Sequence, residues 1–293
     1  MKIRFIAFAL CITSNLLYAQ NEKYLDITTC PFQFGTSITI TNRGDSLNHP
    51  KISPNGEKVI VSKNYNGVYI IELENPSNII TVTSEHMAGF DAKWTSDGNE
   101  IKFKKYSRNN NGEVTREPYK YSIQQNSVKN DEFSVSNSIN ISAKRNISVT
   151  LNLKRSIVEA FDGTKTWDIT KEPKVYYEFT VSPDQSKVLI HEGGKMYVYA
   201  MDGSGMICSL GNGICQSWSP DGKYLVYFLS KDGEYEVIDS DIYICTWDGS
   251  RKWKMTNTPD KIEMWPSWSS EGDIIIYDEK KSGTVEFVRI LHN

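Results

Sequence analysis

Gln216-Ser-Trp-Ser-Pro-Asp-Gly-Lys-Tyr-Leu-Val-Tyr227 reads as a single hairpin. A short strand ends at Trp218, Ser219-Pro-Asp-Gly222 turns the chain, and an alternating strand carries Leu225 and Tyr227 away. Proline presets φ at the second turn position, aspartate bonds the backbone ahead of it, and glycine takes the positive φ. Degraded copies of this stretch recur along most of the chain.

Aligned on the turn glycine, the copies are Ser53-Pro-Asn-Gly56, Thr95-Ser-Asp-Gly98, Ser182-Pro-Asp-Gln185, Ser219-Pro-Asp-Gly222 and Ser269-Ser-Glu-Gly272. Ile52, Trp94, Val181, Trp218 and Trp268 stand four residues before that position. Apolar residues follow it at intervals of two: Val59 and Val61, Ile101 and Phe103, Val188 and Ile190, Leu225 and Tyr227, Ile275 and Tyr277. Turn chemistry and strand periodicity therefore recur together. The steps between turns are 42, 87, 37 and 50 residues. A step of twice the usual length implies a sixth copy, and Asn140-Ile-Ser-Ala-Lys-Arg-Asn-Ile-Ser-Val149 fits it, with Ile147 and Val149 in its second strand.

Each copy continues into a third strand (Val68–Ile71, Met196–Tyr199, Ile242–Cys245), often an Asp-Gly turn, and a fourth strand (Ile79–Thr83, Trp167–Thr170, Trp253–Thr256). Four strands in roughly 40 residues is the arithmetic of a β-propeller blade. The fold class is thus all-β, a six-bladed β-propeller. The last copy runs out after three strands, at Val285–Ile290. Residues 36–41 supply the missing one, because Ile38-Thr-Ile-Thr before His49-Pro50 parallels Lys254-Met-Thr-Asn before Trp265-Pro266.

The Trp-Ser-Pro-Asp-Gly-Lys motif with an aromatic second strand, clearest at Ser53 and Ser219, resembles the repeats of TolB-type six-bladed propellers. These are related to the propellers that cover prolyl-oligopeptidase-type peptidases. The resemblance spans residues 36–293. It implies a propeller working in the cell envelope, without the separate α/β domain that precedes the propeller in TolB, since residues 20–35 are too few for it.

Residues 1–19 read as a signal peptide: Lys2 and Arg4, an apolar run from Ile6 to Ile12, and a small residue at Ala19. A periplasmic or secreted protein is expected, with 20–35 as a lead segment and 36–293 as the propeller. The apolar run is too short to span a membrane. Without Lys2 and Arg4 the chain holds 31 basic against 36 acidic residues and no basic run, which argues against nucleic acid as partner. Four cysteines remain, Cys30, Cys208, Cys215 and Cys245, either as disulfides in one of three connectivities or as buried thiols. Cys208 and Cys215 start from opposite edges of neighbouring blades, about 14 Å apart on strand spacing, so no bond is expected between them.

Repetition assigns Trp94, Trp218 and Trp268 to packing between blades and the turn aspartates to turn chemistry. No Gly-x-Ser-x-Gly elbow occurs, and His49, His86, His191 and His292 lack ligand spacing. Asp232, Glu234, Glu236, Asp239 and Asp241 crowd one connection; a solvated acidic loop is expected there, with calcium as the alternative. We expect no catalytic residues, metal or cofactor. The candidate binding residues are of two kinds. His49, Asp91, Glu178 and Trp265 stand seven residues before the turn position, where first strands would line the mouth of a central channel. Arg108 and Arg116 lie in the insertion Lys105–Pro118, which reads as a solvated loop on the same face as the second insertion, Ser230–Asp241. The reading is a monomeric, non-catalytic binding or assembly module for a protein or peptide in the bacterial cell envelope. The alternatives are a glycan or small-molecule binder, and a lactonase or glycan-cleaving enzyme.

Overall fold

The computed structural model describes residues 23–64, 66–89, 92–95, 97–108, 114–131 and 147–292; the side chains of 108, 114–116, 215 and 216 lie outside that description. In chain order the strands are β1 (Phe32–Phe34), β2 (Ile38–Thr39), β3 (Leu47–Ile52), β4 (Lys58–Lys63), β5 (Asn66–Glu72), β6 (Asn75–Thr83), β7 (Lys93–Trp94) and β8 (Glu100–Arg108). Then come β9 (Val114–Ser122), β10 (Ser127–Asn130), β11 (Ser148–Asn152), β12 (Ile157–Phe161), β13 (Thr166–Asp168), β14 (Tyr176–Val181), β15 (Lys187–Glu192) and β16 (Lys195–Ala200). The series ends with β17 (Met206–Asn212), β18 (Ile214–Trp218), β19 (Tyr224–Asp232), β20 (Val237–Thr246), β21 (Lys252–Lys254), β22 (Glu263–Trp268), β23 (Ile274–Glu279) and β24 (Thr284–His292). They form six antiparallel meanders, blades I to VI, and the fold is an all-β six-bladed propeller. Among the described residues there is no α-helix, only a 3-10 turn at Ile27–Thr29.

The repeated turn explains its own sequence. Ser219 Oγ donates to Asp221 Oδ1 (2.7 Å) and accepts the Tyr224 amide (2.9 Å), while Asp221 Oδ1 accepts the Lys223 amide (3.1 Å). Ser182 and Asp184, Thr95 and Asp97, and Ser53 and Asn55 repeat the arrangement. The serines are buried, so each must spend both its donor and its acceptor inside the turn. Gly222 takes φ 69°. Gln185 holds the same place at φ 58°, a conformation disfavoured for a residue with a Cβ, and its Oε1 accepts the Ile147 amide at 3.1 Å.

The contacts divide the chain into two compact units. One holds residues 32–138 and 263–293, which is blades I, II and VI. Here β4 is buried on both faces: Val59 and Val61 pack with Ile274, Ile276 and Val285 of blade VI, and Ile60 packs with Ile101, Phe103 and Tyr121 of blade II. Trp94 Nε1 donates to the Lys51 carbonyl of blade I (2.9 Å). The N-terminal strand completes blade VI, as the sequence predicts, but starts earlier. Phe32–Phe34 pairs with Ile290–His292, and Ile38–Thr39 pairs with Glu286–Phe287.

The other unit holds 139–262 with the segment up to Pro31, which is blades III to V and the lead. Blade III has three described strands; Asn140–Asn146 of the decayed copy falls outside the described residues, and Ser148–Asn152 is the strand that follows it. Trp218 Nε1 donates to Thr180 O (3.2 Å), so blade V is tied to blade IV at the repeat position that Trp94 and Lys51 use. Trp268 departs from that pattern: its Nε1 donates to Gly272 O in its own turn, and Phe32 packs edge-on against it at 5.3 Å.

The lead is part of the fold. Leu25 forms a parallel bridge with Trp253 and its amide donates to Lys252 O (2.8 Å). Thr29 Oγ1 accepts Trp253 Nε1 (3.0 Å), and Tyr24 lies 4.9 Å from the Tyr243 ring. Trp253 is thereby fully buried, because an outer-strand indole needs a cover and a hydrogen-bond acceptor. Cys30, Cys208 and Cys245 form no disulfide, so Cys208 and Cys215 are not linked.

Candidate functional site

The positions seven before the turn residue share a backbone feature that apolar patterning does not reveal. His49 (φ 53°), Glu178 (φ 41°) and Trp265 (φ 53°) adopt left-handed backbone, each inside a register shift of its first strand. A bulge inserts extra residues opposite the second strand and re-aims a side chain. Non-glycine residues take this conformation only when their surroundings enforce it. In the unit of blades I, II and VI, the structure brings His49 and Trp265 together, their rings edge-to-face with centroids 4.0 Å apart. Both are buried, and the His49 amide donates to Asp278 Oδ1 (3.3 Å). Burial, with Lys51 nearby, pushes the His49 imidazole down to about 3, so the ring is neutral at neutral pH. Burial holds the Asp278 carboxyl well above the usual carboxylate range.

Glu178 lies in the other unit and is half-buried. Its carbonyl meets Nδ1 of His191 at 3.1 Å, and the Tyr177 ring stacks on that imidazole, with centroids 5.6 Å apart. Burial lowers His191 to about 4. Asp91 lies outside the described residues.

Both insertions carry paired strands, which corrects the expectation of a loop over Lys105–Pro118, of which residues 109–113 lie outside the described residues. Strands β8 and β9 extend into it, with Lys105 opposite Glu117, Tyr106 opposite Arg116 and Arg108 opposite Val114. Lys105 and Glu117, of opposite charge, face each other across the ladder, Val114 and Thr115 are β-branched, and pairing satisfies backbone groups that a loop would leave to water. Arg108 and Arg116 are thus strand residues. In blade V, β19 and β20 extend in the same way through Ser230↔Ser240, Lys231↔Asp239 and Asp232↔Val237. The acidic residues are spread along this arm. Asp241 at the base is buried and ion-paired with Lys254 (2.7 Å), whereas Glu234 and Glu236 flank the tip. Among the described residues no three His, Cys, Asp or Glu side chains gather into a metal site. Tyr235 at the tip is 90% exposed and Ile238 beside it 46%. Sequence reading weighed the carboxylates here and missed the tyrosine, although a lone aromatic between two glutamates at a hairpin apex was visible.

No family model matches this chain, and no curated protein matches it. Solved structures do. The β-propeller domain of Cps50 (Swd1) from Myceliophteria thermophila superposes with a TM-score of 0.55 at 8% identity, over 89% of this chain and 100% of that one. A protein described as TolB from Agrobacterium tumefaciens gives 0.40 at 15% identity, over 80% and 70%. The first comparison places the chain in the β-propeller class by fold.

Proposed function

We propose that this chain is an exported, non-catalytic propeller that binds a protein or peptide partner through the hairpin joining the second and third strands of blade V. The observation that carries the reading is Tyr235, a fully presented aromatic on a ladder that outruns its blade. Tyrosine on a rigid support offers a large amphipathic contact at low entropic cost and is enriched among residues that dominate interfaces. The chemistry of the interior agrees. The buried imidazoles of His49 and His191, lowered to about 3 and 4, are weak bases at neutral pH, and the turn aspartates are consumed by their own serines. No helix among the described residues is long and apolar enough to cross a membrane. Export rests on the signal-like residues 1–19, and N-terminal sequencing of the envelope fraction should begin at Gln20.

The test is a photo-crosslinking residue at position 235, with the same residue at Ile79 on an outer strand as control. Crosslinks to a defined protein from 235 alone are expected. Equal labelling from both positions, or Tyr235→Ala leaving recovery unchanged, would contradict the reading.

A further inference from the structure

In four blades one residue after the third strand wedges its side chain against the preceding blade, and one hydrogen bond identifies it. Its amide donates to the carbonyl just past the turn position: Leu73 to Glu57 (2.8 Å), Ile123 to Asn99 (3.0 Å), Met201 to Ser186 (2.9 Å) and Trp247 to Lys223 (2.9 Å). Leu73 packs on the core shared by blades VI and I, Ile123 on that of I and II, Met201 on that of III and IV, and Trp247 on that of IV and V. Between blades IV and V the wedge is an indole. Lys187, which opens β15, holds its ammonium 4.7 Å from the centroid of the Trp247 ring, within cation–π range. Between blades I and II the wedge is only an isoleucine, and a recess of about 230 Å³ remains beside it. Its floor is Ile70, Ile80, Tyr121 and Ile123, and its rim is Lys58, Glu72 and Asn126. These groups match those around Trp247. Lys58 opens β4 as Lys187 opens β15; Ile70 lies between Ile60 and Ile80 as Val198 lies between Leu189 and Cys208; Tyr121 faces Ile101 as Cys245 faces Leu225. Blades I and II belong to one compact unit, so the recess lies within it. Ile70 and Tyr121 are buried, while Lys58 and Glu72 keep 23% and 33% of their side-chain exposure and Asn126 is exposed, so the recess opens to solvent.

We infer that the recess between blades I and II docks an aromatic side chain, tryptophan by preference, carried by a peptide segment of a protein partner. The molecule displays the fit on itself, since an indole fills the matching position between blades IV and V beneath the matching lysine. Charge complementarity selects a ring over an aliphatic side chain. The Lys58 ammonium attracts the negative face of an aromatic ring and has no such interaction with leucine. Glu72 accepts from Lys58 (2.7 Å) and Asn78 (3.5 Å) through different oxygens, and a carboxylate has further lone pairs for an indole N–H. An apolar cavity of about 150 Å³ already holds benzene, so the space suffices for a ring. It falls short of the roughly 300 Å³ at which small-molecule sites begin, which favours one side chain of a larger partner over an enclosed metabolite. The inference stands apart from the blade V hairpin, because none of its residues belongs to that arm.

The test measures dissociation constants for residues 20–293 by ligand-observed NMR, with capped pentapeptides of Gly and Ser around a central Trp, Leu or Ser. The Trp peptide should bind at least ten-fold more tightly than the Leu peptide, and the Ser peptide should give no signal. Ile123→Trp installs the residue that blade V carries at this position and should abolish binding while melting no lower than the parent. If it melts lower, Ile80→Phe fills the recess from blade I and carries the same expectation. Lys58→Gln keeps most of the stem, removes the cation and should weaken the Trp peptide several-fold. Lys187→Gln, at the filled position, should leave binding unchanged. No binding of the Trp peptide, equal binding of the Trp and Leu peptides, undiminished binding by the filled variants, or binding of free indole without the peptide would overturn the inference. Crosslinking from position 235 involves none of these residues, so its success or failure reports on the blade V reading separately.

Discussion

At the scale of single residues, the tryptophans and histidines show how the repeat is enforced. Trp218 fills its slot with an indole whose N–H reaches the Thr180 carbonyl of the preceding blade. Trp218→Phe keeps most of the apolar bulk and leaves that carbonyl without its donor. A loss of about 1–3 kcal/mol in denaturant unfolding is expected, and no loss would mean the bond is incidental. The pH dependence follows from the two buried imidazoles. Each has a folded value below the ordinary 6.5, so the unfolded chain binds the proton more readily. Their contribution to stability is complete above about pH 6.5 and is lost as pH falls toward about 4 for His191 and about 3 for His49. The melting temperature should therefore decline from pH 7 to pH 4.5. His191→Phe should show a shallower decline, and an identical slope would refute the assignment. The first-strand candidates were legible as a repeat position and not as a conformation. Spacing marked His49, Glu178 and Trp265 as equivalent, but nothing local announces that a bulge turns them left-handed or that His49 and Trp265 are buried against each other.

At the scale of elements, turns and core strands were readable because each is fixed by chemistry within a dozen residues. The ends of strands were not, because distant partners decide them. The Lys105–Pro118 segment lacks apolar periodicity, yet β8 and β9 extend into it since cross-strand pairing stabilises a ladder without a core. Joining Tyr106 to Arg116, which face each other in the register, through Asn-Gly should keep the melting temperature within a few degrees, because the type I′ turn suits the strands and shortening the connection changes closure entropy only slightly. The docking of the lead segment escaped notice for a related reason. Tyr24, Leu25 and Thr29 gain their meaning only from Trp253, more than two hundred residues away. Deleting residues 20–31 uncovers that indole and should cost about 2 kcal/mol from lost burial alone. A truncated chain as stable as residues 20–293 would show that the lead is dispensable.

At the scale of the molecule, six copies of one hairpin-rich unit build a scaffold whose strand interiors are nearly interchangeable, and its departures from the repeat carry the individuality. Those departures are the long hairpins of blades II and V. The fold was legible because repetition averages out local ambiguity. The candidate site was only partly legible, because a departure by definition lacks copies to compare. The most direct measurement of the central claim is hydrogen–deuterium exchange on residues 20–293, alone and saturated with the protein recovered by crosslinking from position 235. Slowed exchange is predicted across 229–241, with the outer strands 75–83, 206–212 and 252–254 unchanged. Slowing confined to those outer strands, with 229–241 unaffected, would contradict the account.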